Sequence, residues 1–594
     1  MNKAAIYHRP ESEYAYLYTA DELRLRIRTA KDDIQSISVV AGDPYNWQNG
    51  TWQKSANVVM EKTLVTETHQ YWQASLTAPF NRLNYGFILT DSFGDSVFYG
   101  DQGFETLTAS ANDDSGLMGA NNYFKMPYFQ EIDRFKAPDW VKKTVWYQIF
   151  PERFANGDTT NDPSGTLPWR SSDHPTAESF YGGDLQGIIN HLDHFSQLGI
   201  NGLYLTPIFK APTNHKYDTQ DYFEIDPHFG TKEDFKLLVE KAHAAGIRVM
   251  LDAVFNHIGD QSPQWQDVMA NGRQSKYADW FHIHDFPVRY TPTDNFEYAA
   301  DANYDTFAFT PHMPKLNTAN PAVQNYLIDI ATYWIKAFDI DGWRLDVANE
   351  VDHHFWKKFR TAVTAIKPDI YILGEIWTSA QSWLQGDEFS AVMNYAFTGS
   401  IVDFFAKQQL SPSQMVHKLN AQLMLNRDQT NQVMFNLLDS HDAPRILTVA
   451  NNHQSIVKQM YTFMFLQQGT PDIYYGSEYA MTGQQDPDNR RPMVWQSDEQ
   501  DASMYAFLKH LIQLRHDYQT VLSEGTLSWE TDDHKNIVSF TRELGQTKIG
   551  AIFNAGHTNY AIPTTIDDAH IIFEQLHNDQ IIEPHGFIVT ISNQ

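Results

Sequence analysis

Three features of this 594-residue chain predict an α/β protein: a (β/α)8 TIM barrel with an inserted subdomain after the third strand, an N-terminal β-sandwich and a C-terminal β domain. From Trp140 onward, short apolar strands alternate with amphipathic helices, which is the pattern of parallel βαβ units. Acidic residues recur at the carboxyl ends of those strands, the face where such a barrel carries its active site. The two ends of the chain show period-two alternation without helical stretches between.

Each element follows in order. Within residues 1–123, Leu23, Leu25 and Ile27 alternate with Arg24, Arg26 and Arg28, so one strand face is expected in a core and the other in water. Further strands are expected at 36–40, 71–76, 85–91 and 96–100, parted by turn residues such as Gly42, Asp43 and Pro44, and together they read as a sandwich. Asn121 to Asp139 holds Met126-Pro127 and Ala137-Pro138 without a clear period and reads as a linker. The barrel is expected over 124–257 and 313–518. Its strands are read at 144–151, 200–207, 248–257, 342–347, 371–377 and 433–442, with helices at 234–246 and 322–338. One β/α unit takes about 30 residues; Asp346 and Glu375 stand one unit apart, Glu375 and Asp442 close to two. The interval from Asp252 to Asp346 carries about 60 residues beyond one unit, expected as an inserted subdomain over 258–312. Residues 519–594 return to alternating strands and are expected to form the C-terminal domain.

Composition bounds the function. Hydrophobic residues at 42% and charged residues at 20% exclude a disordered chain. The net charge of −29 disfavours nucleic acid and anionic membrane as partners. With no cysteine, disulfides, thiolate metal sites and cysteine nucleophiles are excluded together. The first residues carry no apolar signal region, and no uncharged apolar run reaches the roughly 18 residues a membrane span needs; a cytoplasmic location is expected. Fifteen Trp, 30 Tyr and 37 Phe are generous for core filling, and flat rings stack on sugar faces.

In GWRLDVANE (342–350), Arg344 and Asp346 are two apart on a strand and share a face. The guanidinium is expected to lower the pKa of Asp346 and keep it ionised as a nucleophile. In YILGEIW (371–377), Glu375 sits among Leu373, Ile376 and Trp377, and desolvation is expected to raise its pKa toward that of a proton donor. At the tops of neighbouring strands the two would stand about 5 Å apart, the separation for retaining glycoside hydrolysis. Asp442, after His441, ends another apolar strand. Any one of these acids alone reads equally as a helix cap.

The chain resembles the α-amylase family of glycoside hydrolases (family 13) over nearly the whole barrel. DAVFNH (252–257), GWRLDVANE, GEIW (374–377) and LLDSHD (437–442) match its four defining regions. GINGLYLTPIF (199–209), MPKLN (313–317) and GSEYAMTG (476–483) match its accessory regions. The resemblance implies Asp346 as nucleophile, Glu375 as acid/base and Asp442 as the acid that binds and distorts the sugar. It implies His257, Arg344 and His441 as hydrogen-bond donors there, and Tyr217 as the ring stacked beneath that sugar. MPKLN, VANE and the N-terminal domain narrow the resemblance to the cyclomaltodextrinase, neopullulanase and maltogenic amylase group. In that group the N-terminal domain leans over the partner's active site in a homodimer. GDPYNW (42–47) then implies substrate contacts by Tyr45 and Trp47; on residues alone it is a tight turn with buried rings. DPDNR (486–490) implies a sugar grip by Asp486 and Arg490, while Trp377, Asn349 and Glu350 would lie toward the leaving group. Group members often carry cysteine where this chain has Asn489. FANGDTTNDP (154–163) with YGGDL (181–185) resembles the group's calcium loop, implying Asn156, Asp158, Asn161, Asp162, the Gly182 carbonyl and Asp184 as ligands of a structural Ca2+. On residues alone this is a solvated acidic turn. No organic cofactor is expected.

The expected activity is hydrolysis of α-1,4-glucosidic bonds in cyclodextrins, maltooligosaccharides and pullulan, with some transglycosylation. An α-glucosidase or glucanotransferase of the same family is the alternative. A catalytically inactive carbohydrate-binding or transporter-accessory barrel is the competing class, and the presence of all three acids argues against it.

Overall fold

The computed structural model describes residues 1–54, 56–107, 120–293, 301–562, 570–578 and 580–593. The chain divides into two compact units. One comprises Met1–Lys136, Leu410–Asn431 and Ser528–Val538; the other comprises Ala137–Gln409, Gln432–Leu527 and Ser539–Gln594.

In the first unit the alternation read in the sequence produces two sheets. Glu22–Ala30 pairs antiparallel with His69–Thr77, Leu23 opposite Leu76 and Ile27 opposite Trp72. Ile34–Gly42 pairs with Leu83–Asp91 in the second sheet. Leu23, Leu25 and Ile27 meet Val39, Phe87 and Leu89 in a shared core, so the sandwich forms as predicted. Two expectations are corrected. The face of Arg24, Arg26 and Arg28 is not all wet: Arg26 is fully buried, and its guanidinium donates to Asn426 O at 3.0 Å and pairs with Asp428 at 3.0 Å. A helix at Pro412–Met424, opened by a capping box between Ser411 and Gln414, leads into that segment. The stretch read as a linker is ordered as well. Phe124–Met126 adds a strand to Leu83–Asp91, because Phe124 and Met126, on one face of Lys125, join the core with Phe129.

The second unit holds the barrel. Its strands are β1 Trp146–Ile149, β2 Gly202–Leu205, β3 Arg248–Ala253, β4 Gly342–Leu345, β5 Tyr371–Gly374, β6 Ala391–Val392, β7 Phe435–Asn436 and β8 Thr470–Tyr474. They hydrogen-bond in the order β6-β5-β4-β3-β2-β1-β8-β7. A parallel bridge from Met393 to Phe435 joins the two edges, which closes the ring. Gly202–Leu205 and Tyr371–Gly374 are buried throughout and almost wholly apolar because the inner face packs the barrel and the outer face meets helices. The helix Lys232–Ala244 starts at a Thr231/Asp234 capping box. The helix Pro321–Phe338 starts at Asn320 with proline in its first turn.

Between β3 and β4 the inserted region contains a helix at Pro263–Asn271 capped by Ser262. It returns to the barrel through bridges Phe281 to Leu316 and His257 to Lys315; residues 294–300 of this predicted subdomain lie outside the described residues. In the C-terminal part, Thr547–Asn554 pairs antiparallel with Ile581–Asn593.

Candidate active site

Strand register builds the site. Asp252 on β3 is the direct neighbour of Arg344 on β4, so both side chains enter the barrel at one level. Asp346 follows β4 and Glu375 follows β5 immediately. The Arg344 guanidinium, fully buried, gathers them. Its Nη1 lies 3.1 Å from both oxygens of Asp252 and 2.6 Å from Asp346 Oδ1; its Nη2 lies 2.9 Å from Glu375 Oε2 and 3.9 Å from Asp442 Oδ2. One planar fork thus spans the two acids read as nucleophile and proton donor.

The backbone between them is bent for the purpose. Val347, directly after Asp346, has φ of 45°, a left-handed conformation that a β-branched residue adopts only under strain. The bend aims Val347 N–H at Glu375 Oε2, 2.9 Å away. Trp377 Nε1 donates to the other Glu375 oxygen at 2.9 Å. The Trp377 ring, half exposed, lies parallel to Tyr395 at 3.6 Å between centroids, presenting a flat apolar face beside the acid.

Charge in this cluster corrects the sequence reading of Asp346. Burial pushes its carboxyl well above the usual range, Arg344 pulls it back, and the charges of Glu375 and Asp252 push it up again. Burial likewise raises Asp252, against the pull of Arg344, to about 6. Only the pair Arg344–Asp346 is visible in the local sequence; three buried carboxylates on one cation favour holding a proton.

Tyr217, in the loop after β2, donates its hydroxyl to Asp252 at 3.0 Å and lies parallel to His441 with centroids 5.5 Å apart. His441 faces Gln148 through Nδ1 at 2.6 Å and Asp442 through Nε2 at 3.1 Å. Burial, with Arg490 and Arg344 nearby, drives His441 well below the usual histidine value. His257 is fully buried, its Nε2 3.2 Å from the Tyr217 carbonyl, so it braces the Tyr217 loop; burial lowers it to about 3. Arg490 donates to Asp442 at 3.3 Å and pairs with Asp486 at 2.9 Å. Asn349 and Glu350 are exposed on the turn after Asp346, and Glu350 O accepts from Lys315 at 2.9 Å.

In the first unit, Tyr45 is 74% and Trp47 49% exposed, so these rings are not buried in their turn. The hairpin from Trp47 to Trp52 holds them outward, with Arg82 over the Tyr45 ring at 4.3 Å.

The oxygen-rich loop also gathers. Asn156 Nδ2 donates to Asp162 at 2.8 Å, Asp158 accepts from Thr160 N at 3.0 Å, and a Cβ on Gly182 would stand 2.2 Å from Asp162 Oδ1. Asp184 caps the helix Leu185–Asn190, and its two oxygens take four donors, Gly157 N, Gly187 N, Asp158 N and Asn161 Nδ2. Asn156 Oδ1 and Asn161 Oδ1 are buried without a hydrogen-bond partner among the described residues. No cluster of three or more His, Asp or Glu suited to a metal occurs among those residues.

Sequence reasoning did not name Asp252, Tyr204, Gln148 or Asn489 as site residues. Tyr204 donates to Asp252 at 2.7 Å. For Asp252 the signal was present, since it opens the DAVFNH motif; Tyr204 and Gln148 sit in plain apolar strands and give none.

Comparison with known proteins gives the family. The model of the α-amylase catalytic domain matches residues 148–546, and that of the α-amylase N-terminal Ig-like domain matches residues 1–130. The intracellular maltogenic amylase of Bacillus subtilis (strain 168) is 53% identical over 558 residues, 94% of this chain and 92% of that protein. Neopullulanase 2 of Thermoactinomyces vulgaris is 42% identical, over 93% of this chain and 90% of its own. A solved cyclomaltodextrinase structure superposes with a TM-score of 0.89 at 41% identity, covering 99% of this chain and 100% of that one. The chain belongs to the α-amylase family. Within it, it stands in the cyclomaltodextrinase, neopullulanase and maltogenic amylase group, and it is an α-glucan hydrolase.

Proposed function

We propose that this enzyme hydrolyses α-1,4-glucosidic bonds of cyclodextrins, maltooligosaccharides and pullulan with retention of configuration, and transfers part of the glycosyl product to other sugars. The observation that carries the assignment of roles is Arg344 bridging Asp346 and Glu375 from adjacent strands. In the form with Asp346 ionised and the proton on Glu375, Glu375 protonates the glycosidic oxygen as an Asp346 carboxylate oxygen attacks the anomeric carbon; the bond to the leaving sugar breaks, and a glycosyl ester on Asp346 remains. Glu375, now ionised, takes a proton from water whose oxygen attacks the same carbon and frees Asp346. Asp442 grips the sugar at the cleaved bond, Tyr217 stacks beneath it, and His441 and Arg490 hold Asp442. Trp377, Asn349 and Glu350 take the leaving-group side, and Asp486 with Arg490 the opposite side.

Two unpartnered buried amide oxygens, on Asn156 and Asn161, suit a hard cation. Asn156, Asp158, Asn161, Asp162, the Gly182 carbonyl and Asp184 would hold Ca2+ there, which would supply structural cross-linking of the loop. The outward Tyr45 and Trp47 support a homodimer in which they face a partner's cleft, as the group resemblance implies. No described helix is long and apolar enough to cross a membrane, and the Bacillus subtilis relative is named intracellular; both support a cytoplasmic location. The test is parallel digestion of β-cyclodextrin, pullulan and soluble starch with product anomers followed by NMR. Preferred cleavage of β-cyclodextrin with retained anomers is expected; preference for starch with inverted products overturns the reading.

A further inference from the structure

One buried side chain beside the acids takes no part in the mechanism above. Asn489 lies in the short turn Asp488–Arg490 and is fully buried. Its amide nitrogen stands 2.8 Å from the carbonyl of His441, 2.9 Å from that of Ala443 and 3.2 Å from that of Ser440. Three acceptors at one end of the amide decide which end is nitrogen, since an oxygen there would face three like dipoles. The backbone of Asn489 is itself fixed. Its carbonyl accepts from Arg445 Nε at 3.0 Å and from the Tyr474 hydroxyl at 3.3 Å. Gly483 approaches so closely that a Cβ there would lie 2.7 Å from Asn489 Cα. The next residue, Arg490, donates Nε to the same His441 carbonyl at 2.9 Å.

We propose that Asn489 is a positioning residue for Asp442: its side-chain amide clamps the Ser440–Ala443 turn to the 486–490 loop and so fixes where the Asp442 carboxylate stands. This rests on the sugar-gripping role given to Asp442 above. Asp442 needs such a clamp because its own side chain is 30% exposed and its two nearest side-chain partners, His441 at 3.1 Å and Arg490 at 3.3 Å, stand on the same two segments that the amide joins. Two amide protons serve three carbonyls in a dry environment, where an unpaired carbonyl is costly. Removing them leaves the turn free to relax toward other donors, and a displacement of about 1 Å at a reacting group costs on the order of 100-fold in rate.

Asn489→Ala, Asn489→Asp and Asn489→Ser separate clamping from bulk packing. Asp keeps the shape and exchanges both donors for acceptors; Ser keeps one donor in a smaller volume. With β-cyclodextrin as substrate, Asn489→Ala should lower kcat about 10- to 100-fold with KM changed less than about threefold, Asn489→Asp should lose at least as much, and Asn489→Ser should recover most of it. The coupling is read separately by calorimetric binding of β-cyclodextrin in the Asp346→Asn background. There Asn489→Ala should weaken binding about fivefold with Asp442 present and less than about twofold once Asp442 is Asn. Equal losses on both backgrounds, or kcat of Asn489→Ala within about twofold of the parent, overturns the proposal. Failure of the reading beneath it shows differently, as full kcat in Asp442→Asn alone.

Discussion

Arg26 and Arg344 are both fully buried strand arginines, and they meet opposite balances of charge. Arg26 and Arg24 both pair with Asp428, and Arg24 also reaches Glu22 at 3.4 Å. Burial would raise Asp428, but Arg26 and Arg24 outweigh it and hold the carboxyl below its ordinary value. Arg344 faces Asp252, Asp346 and Glu375, and there burial outweighs its pull: Asp252 is raised by burial, Asp346 by burial with the repulsion of Glu375 and Asp252 added. The same residue types thus build a structural joint where two guanidiniums converge on one carboxylate and a proton-handling site where several carboxylates converge on one guanidinium. Stoichiometry around the guanidinium, more than burial, separates the two.

The comparison breaks most visibly at the reacting acid. Asp346→Asn should lower turnover of β-cyclodextrin by about 10⁴-fold or more with circular dichroism unchanged; near-parental rates would remove Asp346 from its role. Next in size is the structural joint. Asp428→Asn strands a buried arginine and should cost about 3 kcal/mol in urea unfolding. The contribution of Asp428 is complete above its unfolded value near 3.8 and is lost as pH falls through the depressed folded value, so the difference between parent and variant should shrink in acid. A difference that stays constant down to the lowest pH at which the protein folds would refute the pairing.

Asp252→Asn is the counterpart in the site. Because its folded pKa is raised to about 6, Asp252 favours the folded state at low pH, and that contribution is lost as pH rises through about 6. The substitution should therefore be better tolerated at pH 7 than at pH 5 in unfolding experiments, the reverse of Asp428→Asn. It also removes one charge that raises Asp346, so the acid limb of kcat/KM should move down by roughly one pH unit; an unmoved limb would mean that the two acids do not interact. The smallest effect is expected at Val347. Val347→Gly removes left-handed strain of about 1–3 kcal/mol and adds unfolded-chain entropy of about 1 kcal/mol. A gain of about 1 kcal/mol in urea unfolding is expected, and a loss of stability would show that the bend carries no strain.

Much of this was legible in the chain. The alternation of Leu23, Leu25 and Ile27 marked a core face because period-two burial depends only on neighbours along the strand. Asp346 and Glu375 were found because each ends an apolar strand at barrel spacing; Asp442 was found at the end of the apolar run read as a strand over 433–442, of which only Phe435–Asn436 is strand, so it stands in the loop beyond. The strands β6 and β8 were not read: Ala391–Val392 is two residues long, and Thr470–Tyr474 opens on Thr-Pro and carries the buried Asp472, which masks its apolar character. Phe124–Met126 was read as linker because three residues are too few to show a period. Asn489 was noticed only as a departure from the family's usual cysteine; that its amide meets three carbonyls forty-odd residues away along the chain has no local signature.

The sequence by itself determined the class of fold, the order of the barrel strands that bear acids, and the residue types available for glycoside chemistry, since these depend on periodicity and on motif. Tertiary structure decided the protonation and the alignment of the acids. Local reading pairs Asp346 with Arg344 alone and expects its pKa to fall. Barrel closure buries Asp346 and brings Asp252 and Glu375 to the same guanidinium, and desolvation first, with the repulsion of those two charges added, reverses the sign.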